Sequence, residues 1–247
     1  MDNRFSNRRY LFCLAFVLLA CGFGCGRAVN RTAERRIRDS LPLLIGSAKN
    51  YEAHVDNYPD NTLRGKLKHV TIDGEMVSLK GGLLIDSLHL DIADVQVDTG
   101  KGVVRKVGRT EFVAVISQNS IDEYLAGEAP DAEVIQHMHV TLRDNLVTFA
   151  AKRMVMGVGM SFSVSGPLRI EDEAHLKVDA RRMSVVGISF PSLLVSFLKE
   201  RFETGVDLSS LPFSVRLKQV RTERGRLVLS GEADVAPLIL ASQRRQR

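Results

Sequence analysis

The chain has 247 residues, 45% of them hydrophobic and 26% charged, with no tryptophan and only 6% aromatic side chains. This is the mixture of a globular protein, not of a disordered or fibrous one, and it offers few rings on which bases could stack. The formal charge of +5 falls to +3 once Arg4, Arg8, Arg9 and Asp2 leave with a leader, a mild excess that suits anionic lipid better than nucleic acid.

The leader itself occupies residues 1–20. Three arginines precede an apolar run, Tyr10 to Ala20, in the basic-then-apolar layout of an export signal. The run is shorter than the roughly 20 residues that span a bilayer. Leu18-Leu19-Ala20-Cys21 resembles a bacterial lipobox, which makes Cys21 the expected lipidation site, carrying palmitate-like acyl chains. An uncleaved N-terminal anchor and ordinary secretion are the alternatives. In each case the domain works outside the cytoplasm, in the cell envelope facing the periplasm or the exterior. All three cysteines (Cys13, Cys21, Cys25) lie in or just after the leader, so the body has no intramolecular disulfide, thiolate metal site or cysteine nucleophile.

Residues 21–48 read as a membrane-proximal segment. Arg27, Arg31, Arg35, Arg36 and Arg38 sit where the chain leaves the membrane. Contact with anionic headgroups, worth about 1 kcal/mol per basic residue, competes with a plain solvated helix face. Ile37, Leu41, Leu44 and Ile45 recur at helical spacing, and Pro42 predicts a kink or restart near Ser40.

From Tyr51 the period becomes two, and residues 49–240 read as one domain ahead of a basic tail, 241–247. Leu88, Leu90 and Ile92 alternate in one phase, Val95 and Val97 in the other, which predicts a β-bulge at Ala93-Asp94. Thr99-Gly100-Lys101-Gly102 reads as a hairpin turn. Further strands are expected around Phe112–Ile116, Met138–Leu142, Met160–Val164, Leu176–Ala180 and Phe213–Leu217, with polar turns at 143–145, 171–173 and 223–225. Two helices interrupt them. One is capped by Asn119 or Ser120 and ends at Gly127; the other opens at Ser189-Phe190-Pro191 and carries Phe190, Leu193, Leu194, Phe197, Leu198 and Phe202 at helical spacing. Short strand-to-strand turns predict antiparallel pairing and an α+β fold. His139 to Val147 also echoes Gln219 to Val228, about 80 residues on, as a duplicated unit or two ordinary hairpins.

Catalytic patterns are missing. Gly159-Met160-Ser161-Phe162-Ser163 lacks the second glycine of a nucleophile elbow, and no phosphate loop or His-Glu-x-x-His helix occurs. His137 and His139 share a strand face but have no third ligand nearby, so a sheet surface is the simpler reading. Asp86, Asp91, Asp94 and Asp98 read as a solvated face. No cofactor or metal is expected. The Phe190, Leu193, Leu194, Phe197, Leu198 stripe serves either as core or as the wall of a lipid groove.

Three stretches resemble the LmeA-like phospholipid-binding family. Leu63-Arg64-Gly65-Lys66-Leu67-Lys68-His69-Val70-Thr71-Ile72-Asp73-Gly74 matches its opening pattern, Gly82 to Leu90 its next strand, and Leu217 to Gly231 its close. The series covers roughly Ser40 to Ala236. It implies a long curved antiparallel sheet wrapped around one or two amphipathic helices, as in tubular lipid-binding proteins, with phospholipid as partner and a role in envelope biogenesis. The membrane surface enters as a partner through the N-terminal lipid, and the missing catalytic patterns leave a non-enzymatic protein as the expectation. A scaffolding envelope protein with a sealed core and a protein partner is the alternative.

Overall fold

The computed structural model describes residues 28–79, 82–100, 103–128, 136–155, 158–186, 206–208 and 213–237. They form an α+β structure in which every strand pairing is antiparallel. Helix α1 covers 28–44. Strands β1 (Gly46–Ser47) and β2 (Asn50–Asp56), the short helix α2 (Pro59–Leu63), β3 (Lys66–Leu79), β4 (Leu84–Asp98), β5 (Val103–Lys106) and β6 (Thr110–Ser117) follow. After α3 (Gln118–Glu128) come β7 (Gln136–Arg143), β8 (Leu146–Val155), β9 (Val158–Gly166), β10 (Leu168–Ile170), β11 (His175–Val178), β12 (Arg182–Val186), β13 (Val206–Asp207), β14 (Ser214–Glu223) and β15 (Arg226–Asp234).

The strands divide among three open sheets rather than one long sheet. The large sheet runs β1-β3-β4-β6-β15-β14, with β2 also on β3 and β5 also on β4; a four-stranded sheet runs β12-β9-β8-β7, and a three-stranded one β10-β11-β13. One face of the large sheet is apolar along each row. Ile72, Leu90, Phe112, Gly231 and Leu217 lie side by side, as do Gly74, Leu88, Ala114, Leu229 and Val220. Ala33, Ile37, Leu41 and Leu44 of α1, with Ile45 directly after it, pack into the same core, which is why those positions recur at helical spacing.

The phase change read in β4 is present, but its cause is not an inserted residue. β3 and β4 keep a single register from Lys66↔Gln96 to Ser78↔Leu84. In β4 the buried side moves from Ile92 to Val95, and in β3 from Leu67 to Val70, so both strands turn over together. Asp94 takes φ +52, and at the other end Met76 takes the same value. A left-handed residue re-aims the side chains beyond it, and the partner follows, so no bulge is required.

Two other expectations are corrected. α1 does not restart near Ser40 but continues to residue 44, since Pro42 falls in the last turn and removes only one backbone donor there. α3 is capped by neither Asn119 nor Ser120. Ser117, the last residue of β6, accepts the Ser120 N–H at 3.2 Å, and the Asp86 carboxylate accepts the Ser117 N–H at 2.6 Å and the Ser120 hydroxyl at 3.1 Å. The helix also continues past Gly127 and is described to Glu128.

The expected turns are where β4–β5, β7–β8, β10–β11 and β14–β15 reverse. Asn145 (φ +57) and Gly225 (φ +74) supply the positive angles of two tight hairpins. Those hairpins are the two echoing segments, and they touch. The Asn145 N–H donates to the Thr222 carbonyl at 3.0 Å, and the Gly225 N–H to the Leu142 carbonyl at 3.1 Å. Each turn thus bonds the strand of the other at the equivalent position, joining the four-stranded sheet to the β14 edge of the large one.

Candidate functional site

Two regions carry features that point outward from simple packing. The first is α1 and its surroundings. Arg31, Arg35, Arg36 and Arg38 are all exposed, and Arg38 lies 3.6 Å from Asp39. Arg31, Arg35 and Arg38 share one helix face by spacing, away from the core-facing Ile37 and Leu41. Glu34 turns inward instead. Its carboxylate accepts the Val55 N–H at 3.1 Å on strand β2 and lies 3.3 Å from His54.

α2, which the sequence reading passed over, sits against the start of α1. Thr62 donates to the Asn30 side-chain oxygen at 2.8 Å, and the Asn30 amide donates to the Asn57 carbonyl at 2.9 Å. Asn57 in turn donates to the Thr62 hydroxyl at 2.9 Å. The signals for α2 were Pro59 at its first turn and Gly65 after it. Gly65 has φ +72, and a Cβ there would meet the Val97 carbonyl oxygen at 1.9 Å, so only glycine fits. On α2's outer side Tyr58 is 79% and Leu63 60% exposed.

The second region is the four-stranded sheet. Its apolar face carries Leu142 beside Val147, then Val140, Phe149 and Val164 in the next row, then Ala151 beside Phe162. Val140, Leu142 and Val147 belong to the main core and Phe149 packs against it. Ala151, Phe162 and Val164 are buried but continue that face beyond the main core. The opposite face is polar, with the Thr148 and Ser165 hydroxyls 3.0 Å apart. β12 is an edge of this sheet and β13 an edge of the three-stranded one. The connection between them, 187–205, carries Phe190, Leu193, Leu194, Phe197 and Leu198. Those five, with Cys21 and Arg27, lie outside the described residues.

The remaining polar candidates are structural. His139 pairs with Asp122 of α3 at 2.6 Å, and the described residues contain no group of three or more metal-capable side chains; the His137 side chain lies outside the described part. Asp91 faces His69 at 3.3 Å, Asp94 is exposed and Asp98 pairs with Arg105. The solvated-face expectation fails for two of the four: Asp98 is largely covered beside Arg105, and Asp86 serves the α3 cap. On the polar face of the large sheet, Glu232 is held below the usual carboxylate range chiefly by a 2.6 Å hydrogen bond from Lys218, with Arg109 and Arg216 adding to it. Glu111 joins the same group through Arg109. The cations there are compensated by carboxylates and do not form an open anion site. No described helix is long and apolar enough to cross a membrane.

These features define a class: an α+β protein of open antiparallel sheets, each larger sheet apolar on one face. A family model described as LmeA-like phospholipid-binding matches residues 22–232, and the chain belongs to that family. The membership suggests phospholipid binding and a non-enzymatic role. No curated protein matches the chain.

Proposed function

We propose that this protein is a non-enzymatic phospholipid-binding lipoprotein of the bacterial cell envelope. Cys21 carries the lipid anchor, residues 21–48 hold the domain near the membrane, and the domain of residues 49–240 accepts a lipid acyl chain. The observation that carries the reading is the family match over residues 22–232. The apolar face of the four-stranded sheet supports it, because Ala151, Phe162 and Val164 extend beyond the main core. In this reading Phe190, Leu193, Leu194, Phe197 and Leu198 contribute to a lipid-holding groove of the tubular lipid-binding type. Such a groove suits envelope lipid transport or biogenesis, since it shields acyl chains from water between membranes.

Native mass spectrometry of the purified protein tests the reading. The expected result is a population heavier than the chain by one or more phospholipid masses, lost on delipidation and regained on incubation with phospholipid. Protein that stays lipid-free in both experiments overturns it and leaves a scaffold with a sealed core.

A further inference from the structure

The start of α1 fixes which side of the domain is nearest the proposed anchor. Seven peptide steps separate Cys21 from residue 28, a reach of at most ~25 Å. The described end of α1 is tied to α2 through Asn30, Asn57 and Thr62. This corner therefore lies close to the bilayer whether the anchor is a lipid or an apolar helix.

Its surface chemistry is unusual for a soluble face. Tyr58, just before α2, and Leu63, its last residue, are 79% and 60% exposed, and neither gains anything from its apolar surface in water. Tyrosine, with an apolar ring and a polar tip, suits the headgroup level of a membrane. The exposed cations Arg64 and Lys66 follow Leu63 in the chain, and Arg31 and Arg35 are exposed on α1, whose Asn30 is bonded to Thr62 of α2; the exposed acids Asp56 and Asp60 stand against these four. That excess complements anionic headgroups. The other strongly exposed leucine among the described residues, Leu43 at 71%, is at the other end of α1, ~22 Å away along the helix.

We propose that the α1–α2 corner is the face this protein lays against an anionic phospholipid bilayer, with Tyr58 and Leu63 entering the headgroup region. The inference rests on the membrane attachment proposed above. The consequence is a fixed orientation: with α2 down, the domain stands on one end of β3 and β4 instead of swinging freely on its tether.

The absence of tryptophan makes the test direct. Full-chain Leu63→Trp, Tyr58→Trp and Leu43→Trp each carry a single indole and are reconstituted into phosphatidylcholine–phosphatidylglycerol vesicles, with or without bromine on the acyl chains. The expected result is blue-shifted emission and loss of most fluorescence with brominated lipid for the Leu63 and Tyr58 probes, with little change for Leu43. Vesicle-bound protein whose corner probes stay unquenched, or whose Leu43 probe is quenched instead, overturns the orientation while leaving attachment intact. Failure to sediment with vesicles overturns both. The second corner probe covers the case in which one variant does not fold.

Discussion

Tyr51 is buried on β2, and its hydroxyl donates to the Gly46 carbonyl at 2.8 Å. Burial disfavours the phenolate and pushes its pKa from 10.0 to about 12. Because the folded value lies above the unfolded one, the stabilisation is complete below about pH 10 and is lost as pH rises towards about 12. Tyr51→Phe should cost about 1 kcal/mol at neutral pH through the lost hydrogen bond. The gap between variant and wild type should narrow over the alkaline window, and denaturant unfolding at a series of pH values measures it. Gly74 explains how the ring fits. A Cβ there would stand 2.9 Å from the Tyr51 Cε1 and 2.7 Å from a Val77 methyl carbon. Both glycines of the opening motif, Gly65 and Gly74, are thus steric requirements, and the sequence showed them as a pattern before any contact was known. The Asp86 role was hidden because its partners, Ser117 and Ser120, are over 30 residues away, and spacing on one strand cannot report that.

At the scale of elements, one device recurs on two exposed strand edges. Glu34 of α1 accepts the Val55 N–H and faces His54; Asp122 of α3 accepts the Val140 N–H at 2.6 Å and faces His139. A helix carboxylate thus takes up an edge amide that would otherwise offer itself to another strand. One turn earlier on α3, Gln118 accepts the Leu142 N–H at 3.0 Å in the same way. Asp122→Ala should cost about 1–3 kcal/mol by leaving a buried donor unpaired. It should also speed hydrogen exchange at Val140 more than at Leu142, which Gln118 still holds; equal acceleration at both would show that α3 had come away as a whole. The strands themselves were readable, since Phe112, Ala114 and Ile116, or Val140 and Leu142, alternate cleanly with polar neighbours. Their division into three sheets was not, because alternation reports a strand's faces and says nothing of its neighbours. α2 was missed because five residues cannot display a helical period.

For the whole molecule, attachment is the first question. Cys21→Ala should trap the precursor or release the protein from membranes, read by fractionation and by mature size. A variant that remains membrane-bound at its mature size would assign attachment to an uncleaved helix. One acyl chain binds only marginally, so the basic segment or further chains must assist. The family was legible in the sequence over most of the chain, whereas the groove assignment depends on 187–205, where apolar spacing reads alike for core and for cavity wall. The reciprocal bonds between the β7–β8 and β14–β15 turns also bear on how the chain reaches its structure. Each hairpin closes over two residues and can form within microseconds. The bonds Asn145–Thr222 and Gly225–Leu142 instead close a loop of about 80 residues, whose entropy must be spent before the contact returns anything. The seam is therefore expected to form late. Until then, the Thr222 end of β14 lacks its partner turn, and a strand edge left open in a partly folded chain is where aggregation starts most readily.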